Sequence, residues 1–326
     1  MSADDRSLRS ILSEDDREAL RSVVGERVRF DEPLAPYTSW KIGGPADAFV
    51  VLHDERELEA VLRMIARRRL PFFVLGAGSN VLVGDGGVRG LVLRLEGAFA
   101  RIDVATRDDA VEIEAGGCAG MATLVARAAG AGAEGADALA GIPGTVGGSV
   151  RMNAGTDREL GEFVRDVRVQ TPGNPRPHVV DIRYFYRKST LPRDAVVASA
   201  RFVFARGDEN EVRRRVRERL LRRKQTQPIS LPNAGSCFRN PPGDKAARLI
   251  EAVGAKGWSE GDARISEHHA NFIVHQGQAR AYDVARLLVR VRRAVRERFG
   301  VELEPEVHFV GVFADPVMTG DERAAG

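Results

Sequence analysis

The chain has 326 residues, 43% hydrophobic and 29% charged, with a formal net charge of +3. That length allows two or three domains around a real core, and so balanced a charge argues little about partners, since a nucleic-acid binder should concentrate its positive charge on a stripe that tracks phosphates. No run approaches the roughly 20 apolar residues that span a bilayer. The two cysteines, Cys118 and Cys237, fit neither a zinc spacing nor a disulfide framework. Residues 1–21 are polar and lack an apolar stretch of signal-peptide type. A cytoplasmic chain is expected.

Residues 1–20 read as loosely ordered or as a short leading helix. Residues 48–52 read as a strand. Residues 55–69 put Leu58, Val61, Leu62 and Ile65 on one helical face, with Asp54 as N-cap. Residues 72–75 read as a buried strand. Further strands are expected at 92–95 and 111–115, and a helix at 121–129. The interval 138–155 is rich in Gly and Pro. Strands at 163–170 and 195–204 follow, separated by the turn at 173–177. A polar helix at 208–224 leads to a loop at 227–240, a short helix at 246–253 and a strand at 271–274. Val284, Leu287, Leu288, Val291 and Val295 then form an apolar stripe on a charged helix that starts near Asp283. Segments 301–303 and 307–310 close the fold, and the residues from 316 are expected to fray. The mixture is α+β.

Two glycine-rich segments carry chemistry. Gly76-Ala77-Gly78-Ser79-Asn80 directly follows the strand at 72–75. Glycines let backbone N–H groups approach an anion closely, so the segment suits a phosphate nest or a tight turn. It is not the dinucleotide fingerprint, because no G-x-G-x-x-G opens a following helix. Gly141-Ile142-Pro143-Gly144-Thr145-Val146-Gly147-Gly148 is denser still. It suits either close approach to a flat or phosphorylated ligand or a buried turn between domains. With the loop at 84–87, these segments favour one large ligand over a small metabolite.

Further motifs stand in a fixed order. They begin with residues 37–47 (Tyr37 to Asp47), then the two glycine segments, then Met152-Asn153-Ala154-Gly155 and Tyr186-Arg187-Lys188-Ser189. Gly235-Ser236-Cys237-Phe238-Arg239-Asn240-Pro241, His269-Ala270-Asn271-Phe272-Ile273 and Leu303-Glu304-Pro305-Glu306-Val307 follow. In this set and order the chain resembles the UDP-N-acetylenolpyruvoylglucosamine reductases over nearly its whole length. The resemblance implies an FAD-binding fold of the vanillyl-alcohol-oxidase type in two subdomains, residues 1–90 and 91–215. A C-terminal α+β substrate domain, 216–326, would return a catalytic glutamate to the flavin. It implies FAD as cofactor, NADPH as reductant and UDP-N-acetylglucosamine enolpyruvate as substrate, in peptidoglycan precursor synthesis. No membrane or nucleic-acid partner is expected, and the chain should be a monomer or weak dimer. With no extra insert between Arg187 and Gly235, it looks closer to the family's shorter branch.

By the same resemblance, Thr38, Ser39, Lys41, Gly43, Gly76, Ala77, Gly78, Ser79, Asn80, Gly141, Ile142, Gly144, Thr145, Gly147 and Gly148 should line the cofactor. Arg187 should bind the enolpyruvyl carboxylate, Ser236 should donate the proton and Glu306 should work with Arg187. Chemistry agrees with these roles. A guanidinium meets a carboxylate in fork geometry, a buried carboxyl can hold its proton, and a poised hydroxyl can act as a general acid. Taken alone, Arg187 could be a surface arginine, Ser236 a turn serine and Glu306 an edge-strand acid. Glu304 is expected on the same strand face as Glu306, and only the family pattern selects Glu306.

Tyr186, Arg223 and Asn240 are the substrate-side candidates, the last two for phosphates. Thr226 stands where the family often has lysine, which leaves Lys224 or Arg222 as substitutes. His308 stands where many relatives have arginine. His268 and His269, as neighbours on a strand, would face opposite ways, and no metal is expected. Two other classes fit parts of the pattern: a flavin oxidase of a hydroxylated substrate, and a non-catalytic nucleotide-sugar binder.

Overall fold

The computed structural model describes residues 10–313. The expected fraying from 316 and the first nine residues lie outside that range. In chain order the regular elements begin with α1 (Glu14–Val24), β1 (Val28–Pro33), β2 (Pro45–Leu52), α2 (Glu55–Arg68), β3 (Phe72–Val74), β4 (Val81–Val83) and β5 (Val88–Leu95). They continue with β6 (Ile102–Thr106), β7 (Ala110–Gly116), α3 (Met121–Gly130), α4 (Val146–Met152), β8 (Val164–Gln170), β9 (His178–Val180), β10 (Tyr184–Phe185), β11 (Lys188–Ser189) and β12 (Val196–Ala205). Last come α5 (Glu209–Thr226), α6 (Ala246–Ala252), β13 (Ser259–Glu260), β14 (Ala263–Ile265), β15 (Ile273–Val274), α7 (Ala281–Phe299) and β16 (His308–Val310).

The first layer is a sheet of order β1-β2-β5-β3. Strands β2 and β3 run parallel to β5, with Val50 opposite Leu93 and Phe73 opposite Val92. Helix α2 covers one face because Leu58, Val61, Leu62 and Ile65 are all buried against it. Asp54 caps the helix as expected, its side chain accepting from the N–H groups of Arg56 and Glu57. Asp47 is fully buried on β2. It is held by Arg89 at 2.8 Å and by the Gly90 N–H at 2.8 Å, which meets the cost of burying a charge. The strand expected at 72–75 is only half-buried along Phe72, Phe73 and Val74.

The second layer is an antiparallel sheet of order β6-β7-β12-β8-β9. Helices α3 and α4 pack on it around Phe202, Phe204, Leu124 and Val150. The glycine-rich interval therefore contains a helix, α4, capped by Thr145. The third unit is small: strands β13, β14 and β15 with α6 and α7. The stripe Val284, Leu287, Leu288, Val291 and Val295 is wholly buried in its core.

The elements run across two of the residue numbers expected as domain limits. Residue 90 falls inside β5, so the first sheet runs to Leu95. Residue 216 falls inside α5, which packs against α3 and the turn at 136–139 of the second unit. Segment 301–303 forms no strand, although Leu303 is buried. The last strand, β16, leaves the third unit and pairs in parallel with β4, Phe309 opposite Leu82. Trp40 fastens the same junction: it is fully buried, and its Nε1 donates to Ile273 O at 3.1 Å.

Candidate active site

The two glycine segments meet. A side chain at Gly76 would come within 2.6 Å of Thr145 Oγ1, and one at Gly144 within 2.8 Å of Ser79 Oγ. Gly78 and Gly144 also have φ of +63° and +110°, which L side chains rarely adopt. The turn at 38–44 joins them, with the Ser39 N–H donating to Gly78 O at 3.0 Å. Arg94, which no sequence signal marked, donates to Gly76 O at 3.1 Å from behind. Ala77 and Gly148 remain exposed.

Several expected cofactor residues also make contacts within the walls. Thr38 is buried, and its hydroxyl donates to Ile42 O at 2.9 Å. Lys41 Nζ donates to Pro36 O at 3.0 Å within its own turn. Gly43 lies against Val83, and Gly147 against Gly117 O. The Ile142 side chain belongs to the second unit's core. The two small-residue loops, pressed together with exposed backbone between them, fit a long phosphorylated cofactor such as FAD.

Of the three expected reacting residues, Arg187 and Glu306 are in contact, and the loop that carries Ser236 is bonded to the Glu306 backbone. Arg187 sits between β10 and β11 with φ +54°. Its Nε is 3.2 Å from Glu306 Oε1, and its Nη2 donates to Gly155 O at 2.7 Å. Glu306 is reached through the loop that carries Ser236: the Glu306 N–H donates to Cys237 O at 2.8 Å, and Phe238 bridges Pro305. Asn80, from the first glycine segment, donates through Nδ2 to Glu306 O at 2.8 Å, and the His308 N–H donates to Asn80 O at 3.0 Å. One clip thus binds the glutamate to a glycine loop. The Ser236 hydroxyl is half-exposed and forms no hydrogen bond among the described residues.

Burial pushes the Glu306 carboxyl above the ordinary carboxylate range, although Arg187 and Arg239 pull it down. The Cys237 thiol is pushed up to about 12 by burial, which leaves it a packing residue. Glu304 does not share the environment of Glu306. Its side chain is 71% exposed and pairs with Arg239 at 3.2 Å, whereas that of Glu306 is 17% exposed. His308 opens to the surface of the site. Desolvation by the surrounding protein, helped by Arg239 and Arg151, pushes its imidazole below the ordinary range.

The substrate-side candidates divide. Tyr186 is exposed, with the Arg187 guanidinium 5.1 Å from its ring centroid. Arg223 donates to Gly141 O, so it braces the second glycine segment. Asn240 uses its Oδ1 to accept from the Ala246 N–H at 3.1 Å, at the first residue of α6. Thr226 donates to Arg222 O within α5, and both Arg222 and Lys224 are exposed. His268 and His269 lie in the loop between β14 and β15 and not on a strand. His268 Nε2 contacts Gln225 O at 2.6 Å, and His269 packs edge-on to Phe272. Among the described residues no group of His, Cys, Asp and Glu could hold a metal ion, and no helix is long and apolar enough to cross a membrane.

Comparison with known proteins shows the family. Residues 46–173 match the FAD binding domain model, and residues 227–310 match the C-terminal domain of UDP-N-acetylenolpyruvoylglucosamine reductase. UDP-N-acetylenolpyruvoylglucosamine reductase 2 of Symbiobacterium thermophilum is 44% identical, covering 90% of this chain and 96% of its own. The Moorella thermoacetica reductase of that name is 42% identical over 87% and 94%. The crystal structure of the Thermus caldophilus enzyme superposes with a TM-score of 0.74 at 37% identity, covering 87% of this chain and 98% of its own. The chain therefore belongs to the UDP-N-acetylenolpyruvoylglucosamine reductase family, as an FAD-binding oxidoreductase.

Proposed function

We propose that this protein reduces the enolpyruvyl group of UDP-N-acetylglucosamine enolpyruvate, giving the lactyl ether of UDP-N-acetylmuramate at the expense of NADPH. The observation that carries the reading is the Arg187–Glu306 pair, 3.2 Å apart and joined to the Ser236 loop by the Glu306–Cys237 hydrogen bond. FAD, when bound, would supply the hydride-transfer chemistry between NADPH and the substrate β carbon. Ser39, residues 76–80 and residues 141–148 are the residues that would hold it.

The protein supplies the rest. Arg187 Nη1, 3.5 Å from Glu159 Oε1, is buried without a hydrogen bond and is the donor assigned to the substrate carboxylate. As the β carbon gains a hydride, negative charge spreads onto that carboxylate. Arg187 offsets it by charge, and Glu306, whose hold on a proton burial strengthens, is the group beside it that can offset it by a hydrogen bond. The Ser236 hydroxyl then gives its proton to the α carbon. Hydride and proton together saturate the double bond, one NADPH becomes NADP+, and a proton from solvent restores the Ser236 hydroxyl. Tyr186 lies beside the reacting end for the sugar nucleotide. Arg223 and Asn240 each keep N–H groups for phosphate oxygens, and Lys224 or Arg222 takes the place of the lysine missing at Thr226. The reaction belongs in the cytoplasm, where free thiols such as Cys118 and Cys237 stay reduced.

The test is stoichiometry. Purified protein with NADPH and the enolpyruvyl substrate should consume one NADPH per product molecule, and that product should be two hydrogens heavier. Oxygen consumption with alcohols in place of this reaction would indicate a flavin oxidase. A colourless protein that binds the nucleotide-sugar without turnover would indicate a binding module.

A further inference from the structure

Glu159 has no part in the reaction as read above, yet it touches the residue on which that reaction depends. Its Oε1 lies 3.5 Å from Arg187 Nη1, and its side chain is 24% exposed. The carboxylate is fixed in place. Asn153 Nδ2 donates to Glu159 Oε2, and the Glu159 N–H donates to Glu162 Oε1 at 2.8 Å. Asn153, at the end of α4 with φ +48°, also donates to Phe185 O at 3.0 Å and accepts from the Gly161 N–H at 2.8 Å. One amide side chain thus ties the Glu159 loop to the hairpin that carries Arg187. The guanidinium is flanked by Glu159 on Nη1 and Glu306 on Nε, and its Nη2 is turned by Gly155 O. Glu159 Oε1 and Arg187 Nη1 are both buried without a hydrogen bond. Their contact is therefore coulombic, and it leaves the Nη1 bond for another acceptor.

We propose that Glu159 is a positioning residue: its fixed carboxylate shares the charge of Arg187, so that Arg187 does not draw Glu306 into a full ion pair and Glu306 remains available as an acid. This rests on the assignment of Arg187 and Glu306 to the substrate carboxylate.

The groups around Glu306 define the balance. Arg187 faces it from the hairpin, and Arg239 and Cys237 from the Ser236 loop. His308 lies two residues on along the same segment, with Arg151 beyond it. Two arginines favour the ionised carboxyl, and burial opposes them. Burial keeps the Cys237 thiol protonated, and the lowered His308 imidazole stays neutral at neutral pH. Glu304 offsets Arg239 only weakly, because its side chain is 71% exposed. Glu159 is the better-buried counter-charge, and it sits on the arginine that touches Glu306 directly.

Glu159→Gln should therefore lower kcat while strengthening substrate binding, two opposite signs that loss of packing alone does not produce. The alkaline limb of kcat should move to lower pH by about one unit, the scale of one charge several ångströms away. Calorimetric titration of the oxidised, NADPH-free protein with UDP-N-acetylglucosamine enolpyruvate should show binding about threefold tighter, because Arg187 then meets the substrate with its full charge. Glu159→Asp keeps the charge one methylene further back, so its limb should lie between the other two. A limb that stays in place or moves to higher pH, or weaker binding in Glu159→Gln, overturns the proposal. Should Glu159→Gln fail to retain flavin, the same two readouts on Glu159→Asp decide. Glu306→Gln separates the two ideas. A limb that survives in that variant defeats the assignment of Glu306, whereas a limb lost there but unmoved in Glu159→Gln defeats only the role of Glu159.

Discussion

Two arginine–glutamate pairs in this chain use the same side chains for opposite ends. Arg27 and Glu57 lock the entry to β1 against α2. Arg27 donates through Nη1 to Glu57 Oε2 at 2.7 Å and through Nη2 to Oε1 at 2.5 Å, and the His53 N–H adds a bond at 2.8 Å. Hydrogen bonding from Arg27, opposed by partial burial, holds the Glu57 carboxyl below the ordinary range. Arg187 and Glu306 share one contact at 3.2 Å, Arg187 Nη1 has no hydrogen bond, and burial lifts Glu306 above that range. The first pair satisfies itself and acts as scaffold. The second is left incomplete, which costs stability and leaves it receptive to a third carboxylate.

Substitution should separate them. Arg187→Met should lower kcat/KM by about 10³, the scale of a lost charged fork in a water-poor site, with flavin retained. Steady-state kinetics would check this, and a loss under tenfold would remove the arginine from substrate binding. Arg27→Met should leave kcat/KM within about twofold but reduce unfolding free energy by about 1–2 kcal/mol. A denaturant titration measures that, and a collapse of turnover in a stably folded Arg27→Met would break the comparison. Glu57→Gln should cost less, about 1 kcal/mol at neutral pH. Its sign with pH follows from the lowered carboxyl. The stability Glu57 contributes is full above its unfolded value and is lost as pH falls through the folded one. The gap between wild type and Glu57→Gln should therefore close in acid, and a gap that widens there would contradict the pairing.

Much of this was legible in the sequence where local rules agree with the packing. Asp54 before an amphipathic run gives α2, and the five-residue stripe gives α7. The ordered motifs brought out Arg187, Ser236 and Glu306, which the fold brings into one neighbourhood through the Glu306–Cys237 bond. Strand β1 was missed because Asp31, Glu32 and Pro33 are poor strand formers, and its pairing with β2 supplies the order. Helix α4 was hidden by Gly147 and Gly148, whose weak propensity is overridden by packing against β12. Glu159 carries no local signal at all. Its partner Arg187 is 28 residues away in sequence, and tertiary contacts such as those of the Asn153 amide and of Arg187 with Gly155 O bring the two segments together. The inward turn of Thr38 and the bracing of Gly141 by Arg223 are likewise tertiary facts.

The most direct measurement resolves the two halves of the reaction in Ser236→Ala by rapid mixing without oxygen. The account predicts that NADPH bleaches the flavin at the wild-type rate, and that adding the enolpyruvyl substrate then restores the colour about a thousandfold more slowly than in wild type. Recovery at the wild-type rate would mean that the proton comes from elsewhere, and would contradict the site as drawn.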